Sequence, residues 1–333
     1  MNNAPTKPLA QFIQVRQSGL RSINVEQDVT QTAVAKGYTL TPQARSILAR
    51  MLNRLSDLRA PARAWTLTGP YGSGKSYFSL FLMNLLCAHL PAHQHAIGEL
   101  QQSDPLLVEQ IAAYARLADT KGFLPIPISG YRATLQECLL HGFSRAIETL
   151  PSHEALANWQ EQMQENIASA NSRQVIAYLN ALNDIICSPE LGYRGLLLVL
   201  DEMGKPLEHL ANRPESGDIY LLQEIAEFAD HAENSVLFVG ILHQGFERYA
   251  GNLDITTQRE WAKVQGRFAD IAFQEPPHQQ MALLAHAIDR TETLGQVDKL
   301  MADYARHSLE HNWKPPLLSA LEFDDLCRQA YPL

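Results

Sequence analysis

The chain has 333 residues, a hydrophobic fraction of 46% and a formal net charge of −9. That is enough apolar material for one large domain, or one with a small satellite, and too acidic a balance for a surface that is basic overall. Charge therefore gives no support to nucleic-acid binding, although a local basic groove remains compatible with it. The four cysteines (Cys87, Cys138, Cys187, Cys327) are widely spaced, form no C-x-x-C pair and read as reduced thiols rather than a disulfide frame or a metal site. The opening residues "MNNAPTKPLAQF" lack the apolar run of a secretory signal. The stretch "FSLFLMNLLCAHL", residues 78–90, is too short to span a bilayer. The expectation is a soluble, cytoplasmic protein with no membrane partner.

In chain order, residues 1 to about 40 read as a polar stretch of weak periodicity. Residues 42–59 carry Ile47, Leu48, Met51, Leu52 and Leu55 at helical spacing, so 1–60 forms a helical lead-in. "AWTLT" is a short apolar strand that ends at Gly69-Pro70, and residues 78–90 follow as a buried helix. Residues 98–120 read as a further helix with Leu106, Leu107, Ile111 and Tyr114 on one face. "GFLPIPISGYR", 122–132, is a second strand, and Pro125 and Pro127 remove two ladder donors, which places it at a sheet edge. Residues 134–186 are mostly helical, interrupted at Pro151.

"GLLLVLDE", 195–202, is a continuous apolar run of the kind buried on both faces of a sheet. Residues 218–232 form an amphipathic helix with Leu222, Ile225, Ala226 and Ala229 inward. "SVLFVGILHQ", 235–244, is another buried strand and "FADIAF", 268–273, a short fifth one. Glu275-Pro276-Pro277 reads as a joint, followed by helical patterns at 278–293, 295–309 and 317–330. Alternating strands and helices predict an α/β three-layer sandwich with a mainly parallel five-stranded sheet over 61–275, followed by helical patterns over 276–333.

The segment "GPYGSGKS", 69–76, has the spacing G-x-x-x-x-G-K-S. At average residue usage this arises by chance in roughly one chain in a hundred of this length. Here it follows a strand and opens a helix, as a phosphate cradle requires. Main-chain N–H groups of such a loop converge on anionic oxygens, and the helix N-terminus adds partial positive charge. Gly69, Gly72 and Gly74 supply backbone freedom, and Pro70, Tyr71 and Ser73 complete the loop. Lys75 is expected to reach β- and γ-phosphates and Ser76 to place its hydroxyl on Mg2+, with Tyr77 next on the helix. A metal also needs a carboxylate. Asp201 and Glu202 stand at the carboxyl end of a buried strand, where ligands of open α/β sheets bind. Asp201 is expected to hold Mg2+ and Glu202 to orient and polarise an attacking water. Ser129, at the end of the second strand, is a guess for restraining Glu202.

These features in this order resemble an AAA+ or closely related P-loop NTPase of the ASCE type, which implies that the helical patterns over 276–333 form a small lid. The resemblance implies that the strand between the loop strand and the acidic strand ends in a polar residue that senses the γ-phosphate, here His243 or Gln244. It also implies an arginine before the last strand that acts across a subunit boundary. Arg267 fits, Arg259 is the weaker alternative, and Trp261 reads as packing. The segments "RAWTLTGPYGSGKS", "LDEMGKPLEH", "DIYLLQEIAEFA", "LFVGILHQGFERYA" and "REWAKVQGRF" are similar to the ATPase region of large bacterial anti-phage defence ATPases. Gly204 agrees with that pattern; Met203 and Pro206 depart from it. Such proteins are much longer, so the chain reads as a fragment or the product of a split gene.

The resemblance implies ATP with Mg2+, a homo-oligomer with the arginine finger in trans, and a defence effector as partner. No N-K-x-D-like guanine motif stands near a strand end. The leading expectation is an ATPase that drives or switches an assembly. A nucleotide-gated binding module with slow hydrolysis is the alternative, and a small-molecule phosphotransferase, for which no acceptor constellation is evident, comes third.

Overall fold

The computed structural model describes residues 13–15, 22–55, 62–167, 169–276, 279, 283 and 288–290. Its strands are β1 (Ile13–Val15), β2 (Ala64–Thr68), β3 (Phe123–Ser129), β4 (Gly195–Asp201), β5 (Ser235–Leu242), β6 (Ala269–Ala272) and β7 (Ile288–Arg290). Its helices are α1 (Val25–Asp28), α2 (Thr32–Ala35), α3 (Pro42–Leu55), α4 (Lys75–Leu86), α5 (His93–Ser103), α6 (Pro105–Tyr114), α7 (Leu135–Glu148), α8 (Glu154–Asn166), α9 (Ser172–Ile186), α10 (Gly204–Asn212), α11 (Tyr220–His231), α12 (Phe246–Tyr249) and α13 (Ile255–Gln265). The chain divides into two compact units, one of residues 23–274 and one of residues 1–22 with 275–333.

The larger unit is built on a five-stranded, all-parallel sheet of order β3-β4-β5-β2-β6, with helices on both faces. The run "LLLVL" explains why β4 lies inside it. Leu196, Leu198 and Leu200 join one core cluster with α7, α9 and α11; Leu197 and Val199 join the other with α3 and α4. Every second side chain crosses the sheet, so an unbroken apolar run satisfies two cores at once. The inward stripe of α11, including Leu222, Ile225, Ala226 and Ala229, is buried as expected from its period. Gly195 opens β4 because a Cβ there would overlap the carbonyl oxygen of Ser235 on the neighbouring strand. Gly195→Ala is expected to cost about 1–3 kcal/mol of stability, from overpacking against a backbone that cannot yield. Urea denaturation measures it, and an unchanged midpoint would refute the close approach.

β3 is an edge strand, and its register shows why its prolines are tolerated. The Gly130 N–H donates to Asp201 O at 2.7 Å, toward β4, whereas the Ser129 N–H donates to the Glu26 carboxylate at 2.7 Å, away from it. Pro125 and Pro127 are in phase with Ser129, so their missing donors face the open edge.

One helix expectation is corrected here, while 134–186 is mostly helical and interrupted around Pro151 as expected. The single helix expected over 98–120 is two, because Asp104 caps a new start and Pro105 occupies its first turn. The inward stripe of α6 is then Leu107, Ile111 and Ala115, and Leu106 is 69% exposed instead of buried. The 134–186 region contains three helices. Capping boxes at Thr134 with Glu137 and at Asn171 with Gln174 set the starts of α7 and α9.

In the smaller unit β1 pairs antiparallel with β7, Gln14 opposite Asp289. Within the helix expected over 278–293, Gln279 and Leu283 are helical, whereas 288–290 is a strand because a distant segment supplies its backbone partners. The helices expected at 295–309 and 317–330, and almost all of the expected lid, lie outside the described residues. No helix among the described residues is long and apolar enough to cross a membrane. Cys87, Cys138 and Cys187 are free thiols; burial pushes Cys138 and Cys187 up to about 11 and Cys87 well above its ordinary value, so they stay protonated. Cys327 lies outside the described residues.

Candidate functional site

The loop 69–74 leaves the carboxyl end of β2 and is rooted by main-chain bonds. The Gly69 N–H donates to Leu242 O at 3.2 Å, and the Phe273 N–H donates to Thr68 O at 2.7 Å. A Cβ on Gly69 would overlap the carbonyl oxygen of Phe273. Gly72 and Gly74 hold φ of 74° and 91°, and Gly74 in this left-handed conformation is the N-cap of α4. The loop thus turns directly into a helix whose first N–H groups have no partner within the helix itself.

Lys75, the first residue of α4, is only 3% exposed. Its ammonium donates to Gly69 O at 2.7 Å, Pro70 O at 2.8 Å and Ser73 Oγ at 3.2 Å. Burial brings its pKa down to about 8, opposed by the negative charge of Asp201. Asp201 ends β4, buried. Burial raises its carboxyl above the ordinary value, opposed by the Ser76 hydroxyl, the Glu202 N–H and Lys75. That Glu202 N–H donates to Asp201 Oδ1 at 2.8 Å. Lys75, Ser76, Asp201 and Glu202 are therefore brought together from two segments more than a hundred positions apart in the chain.

Ser76 and Asp201 suit Mg2+ by donor type and position. One hydroxyl and one carboxylate, close enough for the Ser76 hydroxyl to lower the Asp201 carboxyl's pKa, would leave most of an octahedral shell to water and phosphate, the arrangement Mg2+ prefers.

Glu202 adopts φ of 52°, a left-handed conformation that costs a non-glycine residue ~1–2 kcal/mol. Local packing enforces it. The Met203 N–H donates to Ile241 O at 3.0 Å, and a Cβ on Gly130 would lie 2.5 Å from Glu202 O. Strain of this kind gathers where a side chain must be aimed. The Glu202 carboxylate is paired with Lys205, on the first turn of α10.

β5 lies between β4 and β2, so His243 and Gln244 project at the centre of this sheet end. His243 stacks on Tyr71, ring centroids 3.5 Å apart and planes 21° apart, while Tyr71 itself is 76% exposed. Both ring nitrogens of His243 are buried without a hydrogen-bond partner among the described residues. Burial lowers its pKa, as does Lys75, with Glu202 opposing, so the neutral ring is favoured. Of the two strand-end residues, His243 is the one whose ring feels Lys75 and Glu202.

No family model matches the chain, and no curated protein matches it. The site is therefore read from its own geometry.

Several expected residues lie elsewhere. Arg267 precedes β6, whereas the loop follows the other end of the parallel strand β2, so the length of β6, three steps of ~3.3 Å, separates them. Its guanidinium is paired with Glu227 on α11 at 3.3 Å. Arg259 sits on α13, and Trp261 is buried against Phe246, consistent with packing. Ser129 does not hold Glu202. Its N–H, on the open edge of β3, donates to the Glu26 carboxylate, and its hydroxyl lies 3.5 Å from Asn24 Oδ1. The Tyr77 hydroxyl donates to Val34 O at 2.5 Å and its ring meets Tyr38, which packs the α2 region on α4.

Lys205 and Tyr249 escaped the sequence reading, which noted Gly204 only for its agreement with a family pattern. Lys205 was legible only as a cation three residues beyond Glu202. Gly204 admits Tyr249, whose ring and hydroxyl a Cβ there would overlap; burial raises the pKa of that phenol, opposed by the nearby main-chain amides of His243 and Gln244. The contact seats the start of α10 against α12.

Proposed function

We propose that the chain is a Mg2+-dependent P-loop nucleoside triphosphatase of AAA+-like type, acting on ATP. The observation that carries the reading is the convergence of the Lys75–Ser76 loop with Asp201–Glu202 at the carboxyl end of an all-parallel sheet. The interposed β5, followed directly by His243, supports it further.

In this reading the loop amides and the N-terminus of α4 bind phosphate oxygens, and Lys75 exchanges its loop carbonyls for β- and γ-oxygens. Ser76 and Asp201 would hold Mg2+, which would supply positive charge to the triphosphate. Glu202 orients the attacking water and takes its proton. His243, with unpartnered ring nitrogens, contacts the γ-phosphate. Arg267 cannot serve the cradle of its own chain, so in this reading it acts on a neighbouring copy. The segment resemblances extend the proposal to an assembly in anti-phage defence, with a separate effector protein.

Purified protein is expected to release inorganic phosphate from ATP in the presence of Mg2+ and to form larger assemblies with ATP than without it. Label from the γ-phosphate recovered on a metabolite would instead assign a phosphotransferase. The pairing of Glu202 with Lys205 favours a second reading, a nucleotide-gated module of slow turnover. ATP binding with turnover that rises only on adding a partner would select it.

A further inference from the structure

Resting on the hydrolase reading above, we infer that Lys205 is a positioning residue that latches Glu202, so that the ion pair between them must open before the carboxylate can polarise water. The pair joins the last residue of the acidic turn to the first turn of α10. The left-handed backbone at Glu202 starts the turn, and the Lys205 N–H donates to Glu202 O at 3.0 Å, which brings the two side chains to the same side. Gly204, seated under Tyr249, keeps the start of α10 from drifting. Among the described residues Glu202 has no other charged partner within ion-pair distance.

A carboxylate turned toward an ammonium directs its lone pairs at those N–H groups and must turn away from them to face a water molecule. Lys75 cannot play this part, since its ammonium is spent on the loop oxygens. Both latch partners are partly solvent-exposed, at 46% for the Lys205 side chain and 36% for Glu202. Such a pair is weak, so the latch sets a population rather than a block, and its removal shifts that population by about threefold to fivefold. A brake of this size leaves basal turnover slow and allows assembly or a partner to raise it.

The test is steady-state phosphate release by the full chain with Mg2+ and ATP. Lys205→Ala is expected to raise kcat about threefold to fivefold with KM changed less than twofold. Lys205→Arg, which keeps the cation, is expected to restore the slower rate. The double variant Glu202→Gln with Lys205→Ala is expected to be as slow as Glu202→Gln alone, because the gain runs through Glu202. A Lys205→Ala kcat equal to or below that of the unsubstituted protein overturns the latch while leaving the hydrolase reading intact. Failure of the unsubstituted protein and of all these variants to release phosphate from ATP that they bind overturns both.

Discussion

Glu202→Gln is expected to bind ATP within about twofold of the unsubstituted protein and to turn over ~100-fold more slowly. The two side chains have nearly the same shape, so neither the left-handed turn nor the Met203–Ile241 main-chain bond has reason to move. What changes is the proton acceptor. General base assistance contributes ~10²–10⁴-fold in rate, and an amide cannot provide it. The amide still accepts a hydrogen bond from Lys205, so the start of α10 stays in place. Binding is measured by titration with a fluorescent ATP analogue and turnover by phosphate release. A rate reduced less than tenfold would remove Glu202 from the reaction and leave the carboxylate as a surface ion pair. The same variant separates catalysis from assembly: if ATP drives association, Glu202→Gln is expected to accumulate the assembled form.

Lys75→Met carries the second large effect, and it falls on binding. A charge-assisted hydrogen bond contributes ~1.5–3 kcal/mol, so loss of the ammonium is expected to weaken ATP binding about 10- to 100-fold. The same substitution has an opposite consequence for stability. In the folded protein the Lys75 pKa is about 8, against an ordinary value of 10.5. Below pH 8 both folded and unfolded chains hold the proton, and the full cost of burying the cation is present. Between pH 8 and 10.5 the unfolded chain binds a proton that the folded chain has lost, so the contribution of this group to stability rises with pH. Lys75→Met is therefore expected to be at least as stable as the unsubstituted protein at pH 7, with its advantage shrinking above pH 8. Thermal melts at the two ends of that window measure it. Affinity for ATP in the unsubstituted protein is expected to fall as pH rises through about 8, where the ammonium is lost. A Lys75→Met protein that melts well below the unsubstituted one at pH 7 would show that the ammonium holds the loop rather than straining it. That pattern of function retained against stability is common at binding sites.

How far the molecule was legible depends on the range of the interaction. The runs in β2, β4 and β5 and the stripes of α3 and α11 declare themselves, because burial on one or two faces imposes a period on a few neighbouring residues. The edge place of β3 was also readable, since proline chemistry forbids a central position. The break at Asp104-Pro105 is written locally, in a capping carboxylate followed by proline, whereas the exposure of Leu106 beside buried Leu107 is set by which face of α6 meets the core. The strand at 288–290 was not readable, because its partner lies at 13–15.

Taken alone, the sequence determined the local demands: glycines where the loop needs left-handed backbone, a lysine and a serine at the start of a buried helix, and two acids at the end of a doubly buried strand. Those follow from steric and hydrogen-bond rules that act over a few residues. Only the tertiary structure decided that β5 lies between β4 and β2, that Ser76 meets Asp201, that Arg267 is at the far end of its strand, and that Lys205 rather than Ser129 holds Glu202. Strand order and side-chain pairing across such separations are set by how two cores close on one sheet, and no periodicity along the chain encodes them.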